Sequence, residues 1–212
     1  GFVYAVPGGA TVGAITDQGR FLNESNGTVD VNGSQIYSFD LQSSVTTVRY
    51  AGITGSLSGT LVLGDDDEAT MFEWVGEGKV VYAAENNNID WLSLQVSDCP
   101  TVEGQYGHIT DAEAENDACL DTYDQAAVDI GSAIFSLSAP YAVTQDGGDV
   151  DAWNTHILDD GATIVFAGTA IPGGATTNYK GDAAEYQMIV PEDETSTDVG
   201  SASTFNLWIE LE

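Results

Sequence analysis

Positive charge is almost absent from this chain. Arg20, Arg49, Lys79 and Lys180 are its only basic residues, against 34 Asp and Glu, and the formal net charge is -30 over 212 residues. A surface this poor in Lys and Arg has nothing with which to neutralise phosphate, so nucleic acid and anionic lipid are excluded as partners. Histidine is nearly missing as well: His108 and His156 stand far apart. Without clusters of His and Cys there is no zinc site, and neither Lys follows a phosphate-loop pattern. A nucleophile elbow is lacking too, because Gly55-Ser56-Leu57-Ser58-Gly59 centres on Leu57 rather than on a Ser. Carboxylate pairs suited to glycoside hydrolysis are so abundant that they single out no position. The sequence therefore predicts no enzyme and no catalytic residue. No apolar run approaches the ~20 residues that span a bilayer, which predicts no membrane insertion. Initiator Met and a basic leader are also lacking, and Gly1 reads as a mature N-terminus left after signal-peptide cleavage, or as a truncation boundary.

What is present is acidity, spread along the chain rather than gathered in a tail. That is the composition of proteins working in concentrated salt, where screening removes self-repulsion and hydrated carboxylates keep the surface soluble. Hydrophobic residues make up 42% of the chain, enough for a real core. Cys99 and Cys119 are the only cysteines. An even count in a secreted chain predicts a disulfide, with two free thiols as the alternative. The bond would close a loop of about 20 residues and contribute roughly 3 kcal/mol in the chain-entropy view. Residues 98–129 then read as an acidic insertion in a single domain spanning residues 1–212. Three Asn-x-Ser/Thr triplets open at Asn23, Asn26 and Asn32, and predict covalent glycans on a surface loop. Turn chemistry alone also accounts for Asn, Gly and Ser there.

Alternation of period two runs nearly throughout and predicts an all-β fold: a β-sandwich of Greek-key or jelly-roll type with about eleven strands. Strands are expected over residues 35–41, 57–63, 130–137, 184–190 and 204–211. Hairpins are expected over 71–83, turning at Gly76-Glu77-Gly78, and over 153–167, turning at Asp159-Asp160-Gly161. Residues 89–94 and 112–120 are the two candidate helical turns, the first capped by Asn88. Trp74, Trp153 and Trp208 lie in alternating strands and are expected in the core, although an exposed row of aromatics would instead stack sugars. Two acidic turns are the candidate calcium sites, Asp65 with Asp67, and Asp146 with Asp149 and Asp151; neither has the spacing of an EF-hand loop. A solvated turn is the alternative at each. No other cofactor is expected.

The run Tyr50-Ala51-Gly52-Ile53-Thr54-Gly55, Ser58-Gly59-Thr60-Leu61-Val62-Leu63, Phe72-Glu73-Trp74, Val81-Tyr82-Ala83 and Asp90-Trp91, with Phe205-Asn206-Leu207-Trp208-Ile209-Glu210-Leu211 near the C-terminus, resembles a group of secreted archaeal β-rich proteins. The resemblance implies a cell-surface or extracellular protein and carries over no catalytic residue. From the residues, the expected function is a structural subunit of an extracellular filament, tube or surface lattice. The alternative is a secreted glycan-binding or adhesion module. A homopolymer held by strand addition is the expected assembly, since every broad face is acidic. Residues 1–15 are the candidate exchanged segment, with Phe2, Val3, Tyr4, Ala5 and Val6 as its contact strand; pairing within its own sheet is the alternative. A type IV pilin is disfavoured, because residues 1–15 are Gly-rich and strand-like.

Overall fold

The computed structural model describes residues 6–20, 27–43, 47–65, 67, 69–110, 117–192 and 203–212. The fold class is all-β, as the period-two pattern predicts. Strands β1 (Gly8–Gly9), β2 (Tyr50–Gly55), β3 (Thr60–Gly64), β4 (Thr70–Val75), β5 (Gly78–Ala84) and β6 (Gln95–Val96) precede a helical insertion. That insertion carries α1 (Cys99–Gln105) and α2 (Cys119–Thr122). Then come β7 (Gln125–Asp129), β8 (Ser138–Gln145), β9 (Asp151–Asp159), β10 (Ile164–Thr169), β11 (Thr176–Thr177), β12 (Ala183–Ala184), β13 (Tyr186–Pro191) and β14 (Asn206–Leu211).

Eight strands form one antiparallel sheet in the order β1-β14-β5-β10-β9-β8-β7, with β6 paired to β9. Strands β7 to β10 follow one another as hairpins, and β5 returns beside β10 at the end of that run. The long connection after β5 is the Greek-key crossing. A second layer, the pair β2–β13, lies over one face of the large sheet. The layers meet through specific contacts: the Ile189 N–H donates to Thr155 Oγ1 at 3.1 Å, and the Gln187 amide donates to Thr144 Oγ1 at 2.8 Å. Gly168 leaves the space that Met188 fills; a Cβ there would sit 2.5 Å from Met188 Cγ.

The central strands are covered on both faces, and alternation sorts their side chains. Val81, Ala83, Phe166 and Ile157 point toward β13 and the helical insertion, packing with Tyr106, Ile109 and Tyr123. Val80, Tyr82, Val165 and Leu158 point the other way, under Trp91, Phe135 and Leu137 from two crossing loops. The insertion is stapled by the Cys99–Cys119 disulfide, as the cysteine count predicts. Helix α1 starts where Asp98 accepts the Thr101 N–H at 2.9 Å, with Pro in its first turn.

Several sequence expectations are corrected. Strands β4 and β5 are consecutive but do not pair: β4 pairs with β3, and β5 with β10 and β14. The turn between them diverges because the Gly76 N–H bonds to Gly59 C=O and the Glu77 N–H to Glu212 C=O. The 153–167 hairpin forms as expected, as β9–β10. Residues 130–137 are a covering loop rather than a strand. Residues 89–94 make a turn in which Asp90, not Asn88, accepts from the Leu92 N–H. Residues 111–116 lie outside the described residues, and α2 begins at Cys119. Of the three tryptophans placed in the core, Trp153 is buried and Trp208 half-buried, whereas Trp74 is 49% exposed.

Candidate functional site

Two parts of the chain lie largely outside this sandwich. One is the hairpin β3–β4. Its alternation pairs Leu61 with Trp74 and Leu63 with Phe72, so these four side chains share one face. The Phe72 and Trp74 rings lie 4.7 Å apart. The tip closes as an Asx turn: Asp65 accepts the Asp67 and Ala69 N–H groups at 3.2 and 2.9 Å. Every residue of β4 is exposed. Among the described residues no further strand pairs with either edge.

The hairpin is fixed at its root. A Cβ on Gly59 would meet Leu211 Cδ1 at 2.7 Å, one on Gly76 would meet Leu211 Cβ at 3.3 Å, and one on Gly78 would meet Leu57 Cδ1 at 2.7 Å. Glycine at these positions lets Leu57 and Leu211 close on the backbone. Glu185 completes the grip, accepting the Leu57 N–H at 2.6 Å and the Gly173 N–H at 2.9 Å. A cavity of about 150 Å³ lies at this neck. Both oxygens of Glu185 beside it are already engaged by backbone.

The second part is an N-terminal arm. Gly8–Gly9 pair with Ile209 and Trp208 at the edge of the chain's own sheet. From there to β2 the described residues form no strand. Residues 35–41 carry the strand pattern read from sequence, with Tyr37, Phe39 and Leu41 on one face. They are nevertheless exposed and unpaired, Ile36 and Leu41 nearly fully so. Alternation favours extended backbone, but these residues pair with no strand among the described residues. The Tyr37 hydroxyl accepts the Asn32 N–H at 3.0 Å and donates to Gln35 at 2.9 Å, which shapes a local turn. Only four of the 34 acids, Asp17, Glu24, Asp30 and Asp40, fall in residues 1–64. The acidity belongs to the body of the protein, and the arm and β3 are nearly free of it.

The other sequence candidates sit as follows. Asn32 lies exposed in the arm's turn, and Asn23 and Asn26 lie outside the described residues. So do Phe2, Val3, Tyr4 and Ala5, while Val6 is exposed. Asp65 caps the hairpin tip, as above. Asp146 likewise accepts the Gly148 and Val150 N–H groups at 2.8 and 3.1 Å. The described residues contain no group of three or more His, Cys, Asp or Glu placed to hold a metal ion.

Two buried polar groups escaped the sequence reading. Glu210, 2% exposed, accepts the Tyr82 hydroxyl at 2.6 Å, the Ser132 hydroxyl at 2.8 Å and the Ala133 N–H. It pins the 130–137 loop to the sheet. Burial, and after it the charge of Glu210, pushes the Tyr82 hydroxyl well above its ordinary pKa. His156 is fully buried in β9. Its Nδ1–H donates to Ala139 C=O at 3.1 Å, and its Nε2 has no hydrogen-bond partner. Burial lowers its pKa, against the opposing pull of that carbonyl and of Asp129. The folded state thus disfavours the imidazolium, so stability is full above the unfolded value of about 6.5 and declines as pH falls below it. His156→Phe should flatten the difference in melting temperature between pH 7 and pH 5 relative to the parent. Equal slopes in the two proteins would show that His156 does not titrate on unfolding.

No protein-family model, curated protein or solved structure matches this chain.

Proposed function

We propose that the chain is a structural subunit of an extracellular filament, tube or surface lattice, joined to its neighbours by strand addition. The observation that carries this reading is the strand-patterned segment 35–41, exposed and unpaired, in a chain whose β3–β4 hairpin, among the described residues, pairs with no further strand. An unpaired strand edge is a template for another chain, and backbone pairing supplies affinity without bringing acidic faces together. The disulfide supports an oxidising, extracellular setting, and exposed Asn32 supports a glycosylated surface. The net charge of -30 supports a salt-rich one. Negative-stain microscopy of the full chain in molar salt tests the reading. Ordered polymers are the expected result; monodisperse single subunits at high concentration would remove it.

A second reading has its own observation. Exposed Phe72 and Trp74 on one face of the hairpin are a fit platform for a sugar ring, which favours a glycan-binding or adhesion module. Saturable glycan binding by single subunits, lost in Trp74→Ala, would favour it over the structural subunit.

A further inference from the structure

We propose that the partner of the β3–β4 hairpin is the segment 35–41 of a second copy, added as a third strand along β4. This rests on the homopolymer reading above and names the contact that makes the polymer.

The hairpin has one feature that limits its partners. It is apolar on the Leu61, Leu63, Phe72 and Trp74 face, and an isolated two-stranded sheet with such a face is marginal in water. A third strand must supply backbone pairing, continue the apolar face and add little negative charge next to a body that carries 30 of the 34 acids. Residues 35–41 meet all three requirements. Tyr37, Phe39 and Leu41 alternate on one face, Asp40 is the segment's only charge, and its backbone pairs with no other described strand. Among the described residues each copy therefore holds one unfilled hairpin and one unpaired strand-patterned segment, a one-to-one stoichiometry that propagates from copy to copy. Among the described residues the segment pairs with no strand of its own chain, its own hairpin included, so docking is assigned to a neighbour. Strand β4 is the receiving edge because it is exposed throughout, whereas Leu61 of β3 is partly covered.

The native cysteines are bonded to each other, which leaves introduced thiols as the only free ones. Chains bearing Phe39→Cys are mixed with chains bearing Phe72→Cys or Trp74→Cys in molar salt under mild oxidation. A control mixture pairs Phe39→Cys with Val150→Cys, an exposed position in the turn between β8 and β9, outside the hairpin. A disulfide needs Cα atoms within about 7 Å, so it reports strand-to-strand contact. Docking predicts a covalent dimer at ~10-fold or more over the control, because bound strands hold the thiols at high effective concentration. Ordered polymers that form without this cross-link would overturn the arm–hairpin contact and leave the homopolymer reading standing. Absence of any association would overturn both. Internal cross-linking of a doubly substituted Phe39→Cys, Trp74→Cys chain, giving only monomers, would also overturn the proposal.

Discussion

Replacing Glu210 with Ala is expected to destabilise the fold by about 3–5 kcal/mol, since it empties a buried side-chain site and leaves the buried Tyr82 hydroxyl without its acceptor. The Tyr82 hydroxyl, the Ser132 hydroxyl and the Ala133 N–H all lose their acceptor at once. The loop 130–137 would then lose its tie to the sheet, exposing Phe135 and Leu137, which pack over Tyr82 and Val165. For a chain of this size the melting temperature should fall by roughly 6–20 °C, at about 2–4 °C per kcal/mol. Two further substitutions separate the hydrogen bonds from the space filled. Glu210→Gln keeps an acceptor and most of the volume and should lose much less. Tyr82→Phe removes one donor and should cost about 1 kcal/mol. Thermal and urea melts read all three, and parental stability in Glu210→Ala would mean that the loop is held by its apolar contacts alone.

The second large effect is expected from salt. At about 10 Å in water, two like charges repel by about 0.4 kcal/mol before screening. The screening length falls from about 10 Å at 0.1 M to about 3 Å at 1 M, which removes nearly all that remains of this repulsion. Summed over a net charge of -30, the gain is a few kcal/mol, or about 5–15 °C in melting temperature for a domain of this size. The rise should saturate above about 1 M, once screening is complete, and should be the same in sodium and potassium salts of one anion. A melting temperature unchanged between 0.1 and 1 M would show that the carboxylates are already spaced or paired well enough to need no screening, and would remove the salt-adapted reading.

Much of the fold is legible in the sequence because alternation is a local signal. The β9–β10 hairpin was readable from 153–167 because its turn residues act within a few positions: Asp160 accepts the Ala162 and Thr163 N–H groups, and Gly161 adopts a positive φ. The Cys99–Cys119 bond followed from there being only two cysteines. Partner choice was not legible. The stretch from Met71 to Ala83 has the pattern of a hairpin, yet Gly76 and Glu77 bond to Gly59 and Glu212, and those contacts send the two strands into different sheets. Helix α1 was missed, although Asp98 and Pro100 carry the signal of a helix start. Glu210 gave no warning at all. On an alternating strand near the end of the chain, a Glu reads as solvent-facing; its burial comes from a loop some 77 residues away. The candidate site divides the same way. The apolar alternation of residues 35–41 and of β3 and β4 was plain, whereas the exposure of both depends on which strands the rest of the chain leaves unpaired.

The arrangement of covered and bare strands also sets how fast different parts of the molecule trade backbone protons with solvent. Strands β5 and β10 sit mid-sheet with nearly every residue buried, so their amides exchange only when the whole domain opens. Among the described residues the hairpin β3–β4 belongs to no larger sheet, and it lies largely exposed, so its amides are released by local opening. Contacts made through the hairpin or the arm thus involve the parts that open first, and they leave the slowest-exchanging strands untouched. On the proposed strand addition, a subunit would be gained or lost without passing through an unfolded chain.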